Sequence, residues 1–220
     1  MGNKKFELTK NTKEWFGTTL HQLRALKSFS NVKAGELGGW VEKEENLSQD
    51  GNAWVCENAH VHGNALVYEN ARVRGDADVS GDAKVHGNAK VYGNVELCEN
   101  ANVYGNAKVY GNAWVRGSVK VYENAKVYEN AEVYGNARVC GSAEVRKKDD
   151  CILITNIGSR IDTTTVYKDK KLGIAVSCGC FSGSLKQFEE AVEKTHGDNK
   201  YGKEYKAVVA LAKVHFEVEG

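Results

Sequence analysis

Between Gly51 and Arg146 one six-residue phrase, in forms such as VYGNAK and VHGNAK, recurs sixteen times without an insertion. An aliphatic residue falls at every sixth position from Val55 to Val145, and it is valine everywhere except Leu97. Two positions earlier stands Ala in fourteen hexads and Val in the other two, Val95 and Val119. A fixed short period with internal self-similarity marks a repeat architecture, and hexads suit a parallel β-helix. Residues two apart on a strand share a face, so the Ala and the following Val point inward while the neighbours of the Val point out. Three strands and three corners close a triangular coil every eighteen residues, and sixteen hexads give five and a third coils. Successive coils then stack about 4.8 Å apart. Small inward side chains fit so narrow a core, and burying each Val contributes roughly 1.5 to 3 kcal/mol before entropy.

Each corner needs a residue that tolerates positive φ, and Gly, Asn and Asp do so best. The Gly column is replaced by Glu57, Glu69, Glu99, Glu123 and Glu129, whereas the Asn column stays Asn or Asp in fourteen of sixteen hexads. That contrast assigns the left-handed conformation to the Asn column. Stacked Asn side chains are also expected to hydrogen-bond from coil to coil.

The chain of 220 residues contains no proline, where ordinary usage of about 5% predicts about eleven. A body made of ladders needs every N–H, which accounts for the deficit. A formal net charge of +1 argues against a globally basic nucleic-acid binder, and no sequence-specific DNA binding is expected. No apolar run approaches a membrane span, and the start MGNKKFELTK lacks the apolar core of a signal peptide. Gly2 follows Met1, but Phe6 stands where a myristoylation motif has Ser or Thr. A cytoplasmic protein is expected. Cys56, Cys98 and Cys140 are forty-two residues apart, which places them on three different faces, and Cys178-Gly-Cys180 is too close for the usual CxxC spacing. All six cysteines read as reduced structural thiols.

Three parts follow: an N-terminal cap over 1–50, the repeat body over 51–146 and a small α+β domain over 147–220. In the cap, Lys5 to Leu8 and Leu20 to Leu26 read as short strands, and Val41 and Leu47 begin the repeat, offset from Val55 by a two-residue insertion. Trp15, Phe16 and Trp40 are the expected plugs of the open end. In the tail, Cys151 to Ile157, Thr163 to Tyr167 and Leu172 to Ser177 read as strands. Ser184 with Gln187 forms a capping box for a helix running to His196, with Gly197 as its stop, and a second helix spans Lys203 to about Phe216.

The phrases VKAGELGGWV and ENLSQDGNAWV and the GNAxV repeats resemble a group of phage and prophage-encoded hexapeptide-repeat proteins. The tail phrases GSRIDTTTVY, SCGCFSGSL and THGDNKYGKEY resemble a module often attached to them. The resemblance implies a mainly β fold, a left-handed parallel β-helix, and little about activity. Such helices also include acyltransferases, which place a His near a loop protruding from a coil, and γ-class carbonic anhydrases, which use three zinc histidines. Here the sixteen hexads run without a loop, and the carbonic anhydrase spacing of two histidines five apart is missing. No catalytic residue, metal ligand or cofactor is therefore assigned. His60, His62 and His86 read as solvated, with His60 and His62 flanking one inward Val closely enough for an adventitious metal. Arg160, Asp162, Thr163 and His196 are polar candidates in the tail, read as stabilising.

Sorting outward residues by face gives the sharpest pattern. Face one carries Trp54, Arg72, Lys90, Lys108, Lys126 and Glu144; face two His60, Asp78, Glu96, Trp114 and Glu132; face three Leu66, Lys84, Asn102, Lys120 and Arg138. The residue after each Val adds Tyr92, Tyr110 and Tyr128 to face one, and Tyr68, His86, Tyr104 and Tyr122 to face three. Basic face one and acidic face two pair in a cyclic homotrimer as Arg72 with Asp78, Lys90 with Glu96, Lys108 with Trp114, and Lys126 with Glu132. Face three, with Lys84, Tyr104, Lys120, Tyr122 and Arg138, or a subunit cleft beside it, is the expected ligand surface. The leading expectation is a non-enzymatic binding protein for an anionic small molecule such as a cyclic nucleotide defence signal. A structural scaffold and an acyltransferase of unusual layout are the alternatives.

Overall fold

The computed structural model describes residues 4–218, so Gly2 lies outside the described residues. Short strands from Trp54–Val55 to Glu144–Lys147 stack in three parallel sheets. Registration is eighteen residues throughout: Val55, Val73, Val91, Val109, Val127 and Val145 form one column. Every inward Ala and Val of the stack is buried. The three sheets are the three faces sorted above.

The corners reverse one expectation. Positive φ belongs to the Gly column, including all five glutamates at φ 55 to 60°, and not to the Asn column. Three of these glutamates offset the strain locally, because their carboxylates accept a main-chain N–H from the next coil: Glu57 from Gly75 at 2.8 Å, Glu69 from Gly87 at 2.7 Å and Glu123 from Gly141 at 2.8 Å. The Asn column instead forms ladders, as in Asn52, Asn70, Asn88, Asn106 and Asn124, with amide contacts of 3.0 to 3.4 Å.

At the N-terminal end, strand β1 (Phe6–Trp15) pairs antiparallel with β2 (Thr18–Ala25), β2 with β3 (Leu37–Val41), and β3 runs parallel to His60–Val61. β1 is longer than the sequence pattern indicates. Val41 pairs with Val61 and Leu47 with Val67, twenty residues on in each case, so the repeat does begin in the cap with the two-residue insertion. The plugs differ from those expected. Phe16 sits at the hairpin tip, 87% exposed, while Trp15 and Trp40 are half-buried. Phe6, Leu23 and Lys5 fill the end instead, and Trp54 is buried under Phe29, with ring centroids 5.5 Å apart. Gly38 permits this, since a Cβ there would come within 2.7 Å of the Trp54 ring.

The tail strands Cys151–Ile157, Asp162–Asp169, Gly173–Cys178 and Phe181–Ser184 form one antiparallel sheet, the last being a strand the sequence pattern did not indicate. Helix α1 (Leu185–His196) has the Ser184–Gln187 capping box and ends at Gly197, and α2 (Lys200–His215) follows an Asn199 cap. Tyr167, Cys151 and Ala175 join the core of the coils, while Val166, Val176, Phe188, Val192, Tyr205 and Val208 form a second cluster beneath the helices. No helix among the described residues is long and apolar enough to cross a membrane.

Candidate functional site

Face three holds two parallel columns. Lys84, Asn102, Lys120 and Arg138 stand in register one coil apart. Two residues further along the chain, Tyr68, His86, Tyr104 and Tyr122 stack with centroid spacings of 4.6, 5.1 and 5.1 Å and planes within 5°. The coil repeat imposes this spacing, so identical outward positions become a ladder of rings. Its consequence is chemical: the ring faces are occupied by one another, and a ligand meets ring edges and phenol oxygens. Burial raises the pKa of Tyr68, Tyr104 and Tyr122, so these phenols remain protonated donors at neutral pH.

Lys84 and Lys120 are exposed on either side of half-buried Asn102, whose side-chain oxygen has no partner among the described residues. The acids at the adjoining corner, Glu69 and Glu123, are tied to main-chain N–H groups. Arg138 does not stand free beside them. Its guanidinium donates to the Gly179 carbonyl and lies 3.8 Å from Asp162, so it belongs to the junction with the tail. His86 is half-buried within the ring ladder rather than solvated. Below Tyr122 the column ends at buried Cys140, whose sulfur is 3.2 Å from both the Tyr167 and Ser182 hydroxyls.

Face two is partly covered by the hairpin. Trp15 packs at a tilt of 30° on His60, ring centroids 3.9 Å apart, and donates to Asp78 at 2.9 Å. His60 is therefore buried, not solvated, and burial together with Lys13 lowers its pKa to about 4. His62 bonds Asp78 at 2.9 Å; against the opposing effect of burial, His62 and Trp15 hold the Asp78 carboxyl below its ordinary pKa. No three His, Cys, Asp or Glu side chains among the described residues group as a metal site.

The residues of the expected subunit contact divide in two. Arg72 bonds Asn31, Asp78 is held by the hairpin, Lys126 pairs with Glu144 at 2.9 Å and Glu132 with Lys148 at 3.2 Å. Lys90 and Glu96 are exposed, Lys108 half-buried and Trp114 48% exposed. On face one Tyr92, Tyr110 and Tyr128 form a second ladder at 4.9 and 4.8 Å, with the Arg74 guanidinium 5.0 Å from the Tyr92 centroid.

In the tail, Arg160, Asp162 and His196 line one cleft, and Thr163 is buried. Sequence reasoning had the residues but not their meeting place.

No protein-family model matches the chain. A stretch of 36 residues, 16% of the chain, is 44% identical to part of a protein described as the uncharacterized acetyltransferase YdcK of Escherichia coli (strain K12). The match spans 11% of that relative's length. The fold and this stretch fit a hexapeptide-repeat β-helix.

Proposed function

We propose that the protein is a non-enzymatic, oligomeric binding protein of phage origin that holds an anionic small molecule, such as a cyclic nucleotide defence signal, on face three. The observation that carries this reading is the pair of exposed lysines, Lys84 and Lys120, on a sheet with no free outward acid, beside four stacked rings. Two coils separate them, a spacing of about 10 Å. Lysines supply point charges for phosphate, and the phenols of Tyr104 and Tyr122 supply donors along the same stripe. A nucleotide lies across the ring edges and is not intercalated between rings.

Thermal shift against cyclic dinucleotides tests the assignment. Ligand at about 100 Kd adds about 2.7 kcal/mol, a rise of roughly 5 to 11 °C for a chain of this size. Lys84→Ala combined with Lys120→Ala should abolish the rise. An undiminished rise in the double variant removes the ligand from face three, and mass spectrometry of small molecules released from protein purified from its host identifies the class directly.

The stretch shared with YdcK favours a second reading, acyl transfer. Release of free thiol from an acetyl thioester in the presence of an amine or hydroxyl acceptor would establish it.

Assembly as a cyclic trimer rests on the complementary faces. Since four of the eight contact residues are engaged within the chain, register would come from Lys90 with Glu96 and Lys108 with Trp114. These lie in the middle coils, clear of both ends.

A further inference from the structure

The three tail phrases GSRIDTTTVY, SCGCFSGSL and THGDNKYGKEY fall on different elements of the tail, and each delivers residues to a single cleft of about 420 Å³. Its wall is aromatic and aliphatic: Phe181 packs on Phe188 at 5.2 Å, Phe188 meets Tyr205 edge-on at 5.5 Å, and Val192 completes the surface. His196 lies 5.6 Å from Tyr205 at one side.

Arg160 stands at this cleft on the turn between the first two tail strands, with Gly158 and Gly179 beside it. Gly158, at φ 72°, leaves room for the Tyr205 hydroxyl, which a Cβ would meet at 1.8 Å, and its N–H is pinned to Glu204 on α2 at 2.6 Å. Gly179, at φ 58° on the neighbouring turn, lies against the Arg160 stem, where a Cβ would be in ordinary contact with the arginine Cδ at 3.4 Å. The exposed Arg160 guanidinium has no hydrogen bond or ion pair among the described residues. The nearby acid, Asp162, is already engaged by the Thr163 N–H at 2.7 Å and by Arg138 at 3.8 Å. The carbonyl end of α1 is likewise taken, with Gly197 N–H bonded to Glu193 and Val192.

An apolar cavity of this size with one unpaired cation matches the build of a small-molecule site, where roughly 300 to 1,000 Å³ and a few polar groups are usual. We propose that this cleft binds a small amphipathic anion, its aromatic or acyl body against Phe181, Phe188, Val192 and Tyr205 and its carboxylate or phosphate at Arg160. The site is separate from face three, and either can fail without the other.

The aromatic anion 8-anilinonaphthalene-1-sulfonate, titrated into the full folded chain, is the probe. Saturable fluorescence enhancement at one molecule per chain is expected, weakening as salt is raised. Arg160→Gln, an exposed substitution, should weaken it about tenfold, and Ala191→Trp, which fills the cleft, should abolish it. The Lys84→Ala, Lys120→Ala double variant should bind as the unaltered chain does. Displacement by octanoate assigns an acyl carboxylate, and displacement by phenyl phosphate an aryl phosphate. The proposal is overturned by absence of saturable binding, or by wild-type affinity in Arg160→Gln, whatever happens to the fold of Ala191→Trp.

Discussion

Asp150 closes the last coil, and replacing it should loosen that end in a pH-dependent way. The carboxylate is fully buried. One oxygen accepts from Arg146 N–H at 2.9 Å and Lys147 N–H at 3.3 Å, and the other lies 2.8 Å from the Lys168 ammonium. Burial alone would raise its pKa; Lys168 and the main-chain donors outweigh burial and hold it below the ordinary value. Removing one member of a buried ion pair costs about 3 to 5 kcal/mol. Lys168 is 39% exposed and regains water, and Asn keeps one acceptor, so Asp150→Asn should cost about 2 to 3 kcal/mol. At about 2 to 4 °C per kcal/mol the melting temperature falls by about 4 to 12 °C. A carboxyl whose folded pKa is depressed contributes stability that is complete above its unfolded pKa, about 4, and is lost as pH falls through the folded value. The difference between wild type and variant, followed by thermal unfolding from pH 7 to pH 3, should therefore narrow at the acid end. A difference under about 0.5 kcal/mol at pH 7, or one that does not change with pH, would refute the account.

At the opposite end, burial and the neighbouring Arg72 charge lower the Lys5 pKa to about 8. The folded state then releases its proton before the unfolded one, so urea unfolding should show wild type gaining stability over Lys5→Met between about pH 8 and 10.5; a loss over that range would contradict it. Gly93→Ala should destabilise by about 1 to 3 kcal/mol, more than Gly135→Ala, because both stand at positive φ but only at Gly93 would the Cβ meet a carbonyl, that of Gly111 at 2.7 Å; equal melting temperatures would show that φ alone decides. If the chain assembles as the proposed trimer, Lys90→Glu should reduce it to a monomer of 24.1 kDa by light scattering, and adding Glu96→Lys should restore it. A trimer indifferent to both changes places its contacts elsewhere.

The hexad period carried the coils into the structure because an inward position of a narrow stack tolerates few side chains, and that restriction is written in every repeat. Outward positions carry no such restriction, and there the reading went astray. Trp54 and His60 occupy outward columns but fall in the first coil, where the cap must lie, and both are covered by it. Their position in the first coil was the available signal. Glutamate in the Gly column looked like proof against positive φ, yet a carboxylate that receives an N–H eighteen residues ahead offsets the cost, which only the stacked geometry reveals. The columns of face three were legible from spacing alone. That the rings cover one another's faces follows from the coil separation near 5 Å, and that Arg138 turns to the tail follows from a domain with no period to read.

The two ends of the stack also explain why such different segments close them. In the coil-to-coil bonds at and beside the corners, the earlier coil donates N–H and the later coil supplies C=O, as in Asn52 to Glu69 and Trp54 to Ala71. At these positions the first coil is left mainly with carbonyls and the last mainly with N–H groups, apart from the Gly63 N–H, which Glu42 accepts, and the Ser142 carbonyl, which accepts from Lys170 N–H. The N-terminal segment brings donors: the Lys5 ammonium lies 3.0 Å from the Ala53 carbonyl and 3.3 Å from that of Asp50, and the Asn46 amide donates to Gly63 and Ala65. The tail brings acceptors, with the Thr165 hydroxyl for Arg138 N–H, Asp169 for Ser142 and Asp150 for Arg146. A buried unpaired main-chain group costs about 1 to 3 kcal/mol, so each segment is matched to the groups its own end leaves open. Lysine at one pole and aspartate at the other are the chemical signature of that polarity.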